Sequence, residues 1–67
     1  MYKLFILGMG HLMLTREAII AAYDLSNAKP LDAGRKCYFP SSKGPRTRIV
    51  RYMPDDIAER IQQRFGK

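Results

Sequence analysis

Apolar positions in this chain fall into stretches with different periods, separated by segments rich in glycine, proline and charge. Tyr2 to Leu7 is an almost continuous aromatic and aliphatic run that stops at Gly8, the pattern of a buried or edge strand. Gly8 to Gly10 then supplies a turn. From Leu14 the period becomes helical: Ile19, Ala22, Tyr23 and Ser26 share one face, and Ala18 and Ala21 offer small surfaces for close packing. Thr15 is the expected N-cap, Glu17 sits in the first turn where the helix dipole favours a negative charge, and Leu14 can close on Ile19 as a hydrophobic staple. The helix is expected to end between Asp24 and Asn27.

The next segment, Asn27 to Gly34, has room for at most about two helical turns, because Pro30 disfavours helix at Lys29 and Gly34 ends any turn that follows. Lys36 to Phe39 and Thr47 to Tyr52 read as strands, and the turn-rich stretch Pro40 to Pro45 joins them into an antiparallel hairpin with a basic tip. Pro54, Asp55 and Asp56 begin a last helix, with Ile57, Ile61 and Phe65 as its apolar stripe, Asp56 and Arg60 as i,i+4 partners and Gly66 as its terminator. The expected architecture is a small α+β domain over 1–67. It divides into an N-terminal strand or extension (1–13), a core (14–61) and a tail (62–67).

At 67 residues the chain makes one domain at most, and a domain this small buries only about 60% of the surface its unfolded form exposes. With 46% hydrophobic and 27% charged residues, its composition is that of a folded globule. Cys37 is the only cysteine, so an internal disulfide is excluded; no zinc-ligand set is present, and a reducing, cytoplasmic setting is expected. The apolar opening, Met1 to Met13, is too short to span a bilayer and is broken by Gly8, Gly10 and His11, so a strand is expected there and not a signal.

The net charge of +6 becomes informative when it is located. Lys29, Arg35, Lys36, Lys43, Arg46, Arg48 and Arg51 face only Asp32 in the middle third, and the remaining lysines and arginines are matched one for one by carboxylates. Clustered cations suit a phosphate backbone, because each neutralised phosphate releases counterions, and Tyr38, Phe39 and Tyr52 add aromatic surface beside them. These seven basic residues, with Tyr38 and Tyr52 as aromatic support, are the candidate nucleic-acid contacts. A solvated basic loop is the plainer alternative. An anionic membrane surface is disfavoured, because the cations do not share one amphipathic helix.

Chemistry-bearing constellations are missing, and no enzyme, cofactor or metal site is expected. The Gly8-Met9-Gly10 spacing lacks the further glycine and the acidic ribose partner of a nucleotide-binding loop. His11 stands without a second base or nucleophile, and Ser41 and Ser42 suit turn chemistry. Asp55 and Asp56 are accounted for by the helix dipole rather than by a metal. Cys37 adjoins Lys36, which favours a lowered thiol pKa, but a lone strand cysteine is more often a small hydrophobe.

The element order resembles the small winged helix-turn-helix proteins of the excisionase and MerR-like class, over about Leu14 to Ile61. The carrying residues are Leu14-Thr15 at a helix start, Leu25-Ser26 eleven residues on, Phe39-Pro40 after the recognition segment, and the wing-like run from Arg48 to Ile57. The resemblance implies that Asn27 to Arg35 enters the major groove, with Lys43, Arg46 and Arg48 against phosphates or the minor groove. The full recognition helix of that class is interrupted here by Pro30 and Gly34.

Three functions follow as expectations. The first is a DNA-binding regulator or architectural factor; about five or six phosphate contacts would give a salt slope of roughly −4.5 to −5.4 on duplex DNA. The second is an interaction module of the phage or mobile-element type that binds an acidic protein surface, pairing Tyr2 to Leu7 with a partner's sheet edge. The third is RNA binding. A homodimer is compatible with so thin a core.

Overall fold

The computed structural model describes residues 1–29, 34–41 and 43–65. Six elements follow in order: β1 (Tyr2–Ile6), β2 (Gly10–Leu14), α1 (Arg16–Leu25), β3 (Gly34–Ser41), β4 (Gly44–Pro54) and α2 (Asp55–Phe65). The strands form one four-stranded antiparallel sheet in the order β2-β1-β3-β4. This is an α+β fold made of two hairpins, each followed by a helix.

The expected N-terminal strand is therefore half of a hairpin. Leu4 pairs with Leu12 and Tyr2 with Leu14, and the Met9 N–H donates to the Ile6 carbonyl at 2.9 Å to close the turn. Gly8 has φ +86° within it, a backbone conformation that costs a side chain roughly 1–2 kcal/mol. Of the two placements expected for Tyr2 to Leu7, buried or edge, the interior one holds and the edge one is corrected, since β1 has β2 on one side and β3 on the other; the outer strands are β2 and β4.

Alternation sorts the strand side chains onto two faces. Leu4, Ile6, Leu12, Leu14, Cys37, Phe39 and Met53 are all buried on the face that meets the helices, where Ile19 and Ala22 of α1 and Ala58 of α2 complete the core. Each large side chain in that set contributes about 1.5–3 kcal/mol by burial. Thr15 caps α1 as its sequence indicates, its Oγ1 accepting the Ala18 N–H at 3.2 Å. Leu14 and Ile19, the expected staple, are both core residues.

The second hairpin is longer than Lys36–Phe39 and Thr47–Tyr52 suggested. Arg35 pairs with Met53, Tyr38 with Val50 and Pro40 with Arg48, before a register shift between Pro40 and Ser41. Of the segment expected to carry a short recognition helix, Pro30 to Ala33 lie outside the described residues. Its flanks are not helical: Asn27 forms an isolated bridge with Tyr52, at 2.6 and 2.7 Å, and Gly34 and Arg35 begin β3. Residues 62–65 of the expected tail belong to α2, and the expected terminator Gly66 is outside the described residues.

β1 and β3 stay paired only briefly, at Phe5–Tyr38 and Ile6–Cys37, with the Leu7 N–H donating to the Lys36 carbonyl at 2.9 Å. Their continuation would set Tyr2 to Leu4 against Phe39 to Ser41, where Pro40 has no N–H to donate and β3 changes register. The two strands part there, leaving a gap beside α1.

Candidate nucleic-acid interface

Both helices pack on one side of the sheet, so the other side carries the residues left over by alternation. These are Lys3 and Phe5 of β1, His11 and Met13 of β2, Lys36 and Tyr38 of β3, and Arg48, Val50 and Tyr52 of β4. Register aligns several of them across the strands. His11 lies opposite Phe5, Phe5 opposite Tyr38, and Tyr38 opposite Val50. Ring centroids are 4.8 Å apart for Phe5 and His11 and 5.7 Å for Phe5 and Tyr38, with both pairs tilted by 53°. The result is an aromatic row across three strands, in which Phe5 and Tyr38 are half-buried and His11 is exposed.

Cations border that row. The Lys36 Nζ lies 5.7 Å from the centroid of the Tyr38 ring. Arg48 helps line a shallow depression of about 350 Å³ with Phe5, Leu7, His11 and Tyr38, and one of its guanidinium nitrogens donates to the Thr47 carbonyl at 3.2 Å. Lys3 is exposed on the same face two positions before Phe5. A flat apolar strip with positive charge at its borders is suited to stacked bases whose phosphates reach the cations.

The seven cations singled out by sequence divide into distinct groups. Lys36 and Arg48 reach the open face together with Tyr38 and Tyr52. Lys43 is exposed at the hairpin tip, and Lys29 is exposed beyond the Asn27 bridge, its N–H donating to Asn27 Oδ1 at 3.0 Å. Arg46 belongs to β4, but its side chain is outside the described residues.

Arg35 and Arg51 turn to the helix side, so the structure does not bring them together with Lys36 and Arg48. The Arg35 Nε lies 3.1 Å from Asp55 Oδ1, an ion pair without the alignment of a hydrogen bond, while its Nη1 donates to the Leu7 carbonyl at 3.3 Å. Asp55 thus does more than terminate a dipole: it ties the start of α2 to β3. Arg51 donates to the Ser26 hydroxyl at 2.5 Å and to the Ser26 carbonyl at 2.7 Å, and its guanidinium carbon sits 4.0 Å from the centroid of the Tyr23 ring.

Lys3, Phe5, His11 and Met13 were not identified as site residues. The signal was the alternation of His11, Leu12, Met13 and Leu14, which marks a second strand once Gly8-Met9-Gly10 is taken as a hairpin turn. Cys37 packs as the small hydrophobe expected of a lone strand cysteine, without the lowered thiol pKa that its neighbour Lys36 suggested. It is fully buried on the helix side, and burial pushes its thiol up to about 11, while Lys36 projects to the opposite face. Among the described residues, no cluster of three or more histidine, cysteine or acidic side chains is placed to hold a metal ion, and no helix is long and apolar enough to cross a membrane.

Comparison with protein-family models, curated proteins and solved structures finds no match. The geometry of the sheet is therefore the basis for any functional reading.

Proposed function

We propose that this chain binds single-stranded nucleic acid on the open face of its sheet. The observation that carries this reading is the row His11, Phe5, Tyr38, contiguous across β2, β1 and β3 and bordered by Lys3, Lys36 and Arg48. Every base presents a π-face, so such a row accepts bases regardless of sequence, and the bordering cations take the backbone. Bases paired inside a duplex do not offer those faces, which is why the geometry favours a single strand.

A winged-helix use of the same chain would send Asn27 to Arg35 into the major groove. Gly34 and Arg35 are strand residues, and Arg35 is tied to Asp55, so the described part of that segment gives the winged-helix reading little support. The hairpin expected as a wing forms half of the sheet.

Fluorescence anisotropy with labelled 12-nucleotide poly(dT), poly(U) and a 12-base-pair duplex tests the proposal. At about 100 mM salt both single strands are expected to bind at least tenfold more tightly than the duplex. Equal or tighter duplex binding would sink the reading.

A further inference from the structure

The helix side of the molecule carries a second surface that single-strand binding leaves unused. Where β1 and β3 part, a groove of about 340 Å³ opens beside α1, lined by Tyr2, Ile19, Ile20, Tyr23, Phe39 and Arg16 among others. Its walls are apolar but accessible: Ile20 is 49% exposed, Tyr2 43% and Tyr23 36%. Ile49, opposite Phe39 in the β3–β4 register, extends the patch at 36% exposure. Tyr23 meets Phe39 edge-on at 5.4 Å, so this surface is continuous from the helix to the sheet.

Arg51 borders the patch in a fixed position. It lies on the ring of Tyr23, a lining residue of the groove, and the two hydrogen bonds it donates to Ser26 hold it there. A guanidinium has five N–H donors, and these two bonds leave several of them unused. No carboxylate of the described residues pairs with it; the ion pair found among them joins Arg35 to Asp55. Arg16 lines the groove as its charged residue. An apolar groove bordered by two arginines, one already immobilised and half-buried, is electrostatically complementary to a ligand that combines apolar side chains with carboxylates. Holding Arg51 in place beforehand lowers the ordering cost of binding such a ligand.

We infer that this groove docks an acidic peptide segment of another protein, with one or two large apolar side chains between Tyr2, Ile20 and Tyr23 and flanking Asp or Glu side chains on Arg16 and Arg51. A second copy of the chain is a poorer occupant, because each copy carries a net charge of +6 and would present arginines to arginines. The docking segment would approach from the helix side, so an oligonucleotide on the open face leaves it room to bind.

The test pans a phage-displayed library of random 12-residue peptides against the full chain at 300 mM salt, with excess poly(dT) present to compete for non-specific polyanion contacts. The expected outcome is a consensus of large apolar residues flanked by Asp or Glu. In anisotropy titrations a synthetic consensus peptide should lose at least tenfold in affinity for the variant Ile20→Glu, whose side chain is half-exposed and not needed by the core. It should lose a similar factor for Arg51→Gln and recover part of it for Arg51→Lys. Amide resonances of Ile20, Tyr23 and Ile49 should shift on titration, with those of Phe5 and His11 unmoved. A consensus without acidic residues, equal enrichment on the Ile20→Glu variant, or shifts confined to the open face would overturn the inference. Sedimentation equilibrium showing a dimer that Ile20→Glu dissociates would also overturn it, by assigning the groove to a second copy. Oligonucleotide affinity of Ile20→Glu stays within about twofold of the parent, which separates failure at this groove from failure of the single-strand reading.

Discussion

Phe5 and Tyr38 lie opposite each other across the β1–β3 pairing, ring centroids 5.7 Å apart, on the side of the sheet that neither helix covers. Stacking one base on such a ring contributes about 1–3 kcal/mol. Phe5→Ala and Tyr38→Ala are each expected to weaken single-strand binding by about five- to 150-fold, with little change in thermal midpoint because neither ring belongs to the buried core. Anisotropy titrations paired with thermal melts check this; wild-type affinity in the double variant would remove the open face from consideration.

The division of cations between the two sides of the sheet gives a second expectation. Each phosphate neutralised on a single strand contributes about −0.7 to the slope of log affinity against log salt. Lys36→Ala with Arg48→Ala should flatten that slope by about 1.4. Arg35→Ala, which removes a cation tied to Asp55 and the Leu7 carbonyl, should leave the slope unchanged. Titrations at four salt concentrations distinguish the two variants. An equal flattening in both would mean that charge acts through the molecule as a whole.

That division also marks what the sequence could and could not say. Helix starts were legible because their signals are local: Thr15 caps α1 with its own hydroxyl, and Pro54-Asp55-Asp56 leads into α2. The β3–β4 hairpin was legible in outline from its turn residues and Ile49-Val50. The strand β2 was hidden because Gly10-His11-Leu12-Met13-Leu14 reads as part of the apolar opening; its alternation stands out only once the Gly8-Met9-Gly10 turn is taken to fold it back onto β1. The side on which a cation emerges depends on register. Lys36 and Arg51 are near neighbours on paired strands, yet Lys36 faces out because it opposes Tyr52 and Arg51 faces in because it opposes Cys37. Counting charge along the chain cannot resolve that difference.

Ser26 is the buried polar residue of the helix side, 7% exposed, and it links α1 to β4 through Arg51. Its hydroxyl also donates to the Tyr23 carbonyl at 2.7 Å. Ser26→Ala removes one of the two bonds that hold the guanidinium and leaves the carbonyl bond in place. Hydrogen bonds to charged groups are worth about 1.5–3 kcal/mol when buried, and Arg51 is only half-buried, so a loss of about 1 kcal/mol is expected. Urea denaturation measures it directly. A shift below a few tenths of a kcal/mol would show that the bond to the Ser26 hydroxyl contributes nothing to stability.

Gly8 serves the first hairpin in two ways. Its φ of +86° is strained for other residues, and a Cβ placed there would come 2.8 Å from the Arg35 Nη1, the atom that bonds the Leu7 carbonyl. Gly8→Ala is expected to cost roughly 1–2 kcal/mol from the backbone alone and to displace the Arg35 side chain. The same denaturation experiment reads the first effect. Combining Gly8→Ala with Arg35→Ala should cost less than the sum of the two separate changes, because the steric conflict is then gone.

Cys37 makes stability depend on alkaline pH with a definite sign. Its thiol is pushed from 9.0 up to about 11 in the folded chain, because burial penalises the thiolate. Below about pH 9 the thiol is protonated in both the folded and the unfolded chain, and it contributes no pH dependence. As pH rises from about 9 to about 11, the unfolded chain ionises while the folded one resists, so stability falls across that window and levels off above it. At roughly 1.4 kcal/mol per pH unit, the loss is on the order of 2–3 kcal/mol. Tyrosines and lysines titrate over part of the same range, so the informative quantity is the difference between the parent and Cys37→Ala. The variant loses packing at every pH but should show a shallower decline between pH 9 and 11. Parallel curves for the two proteins would mean that Cys37 ionises in the folded state as freely as in the unfolded one, and a thiol reagent would then react with it without unfolding.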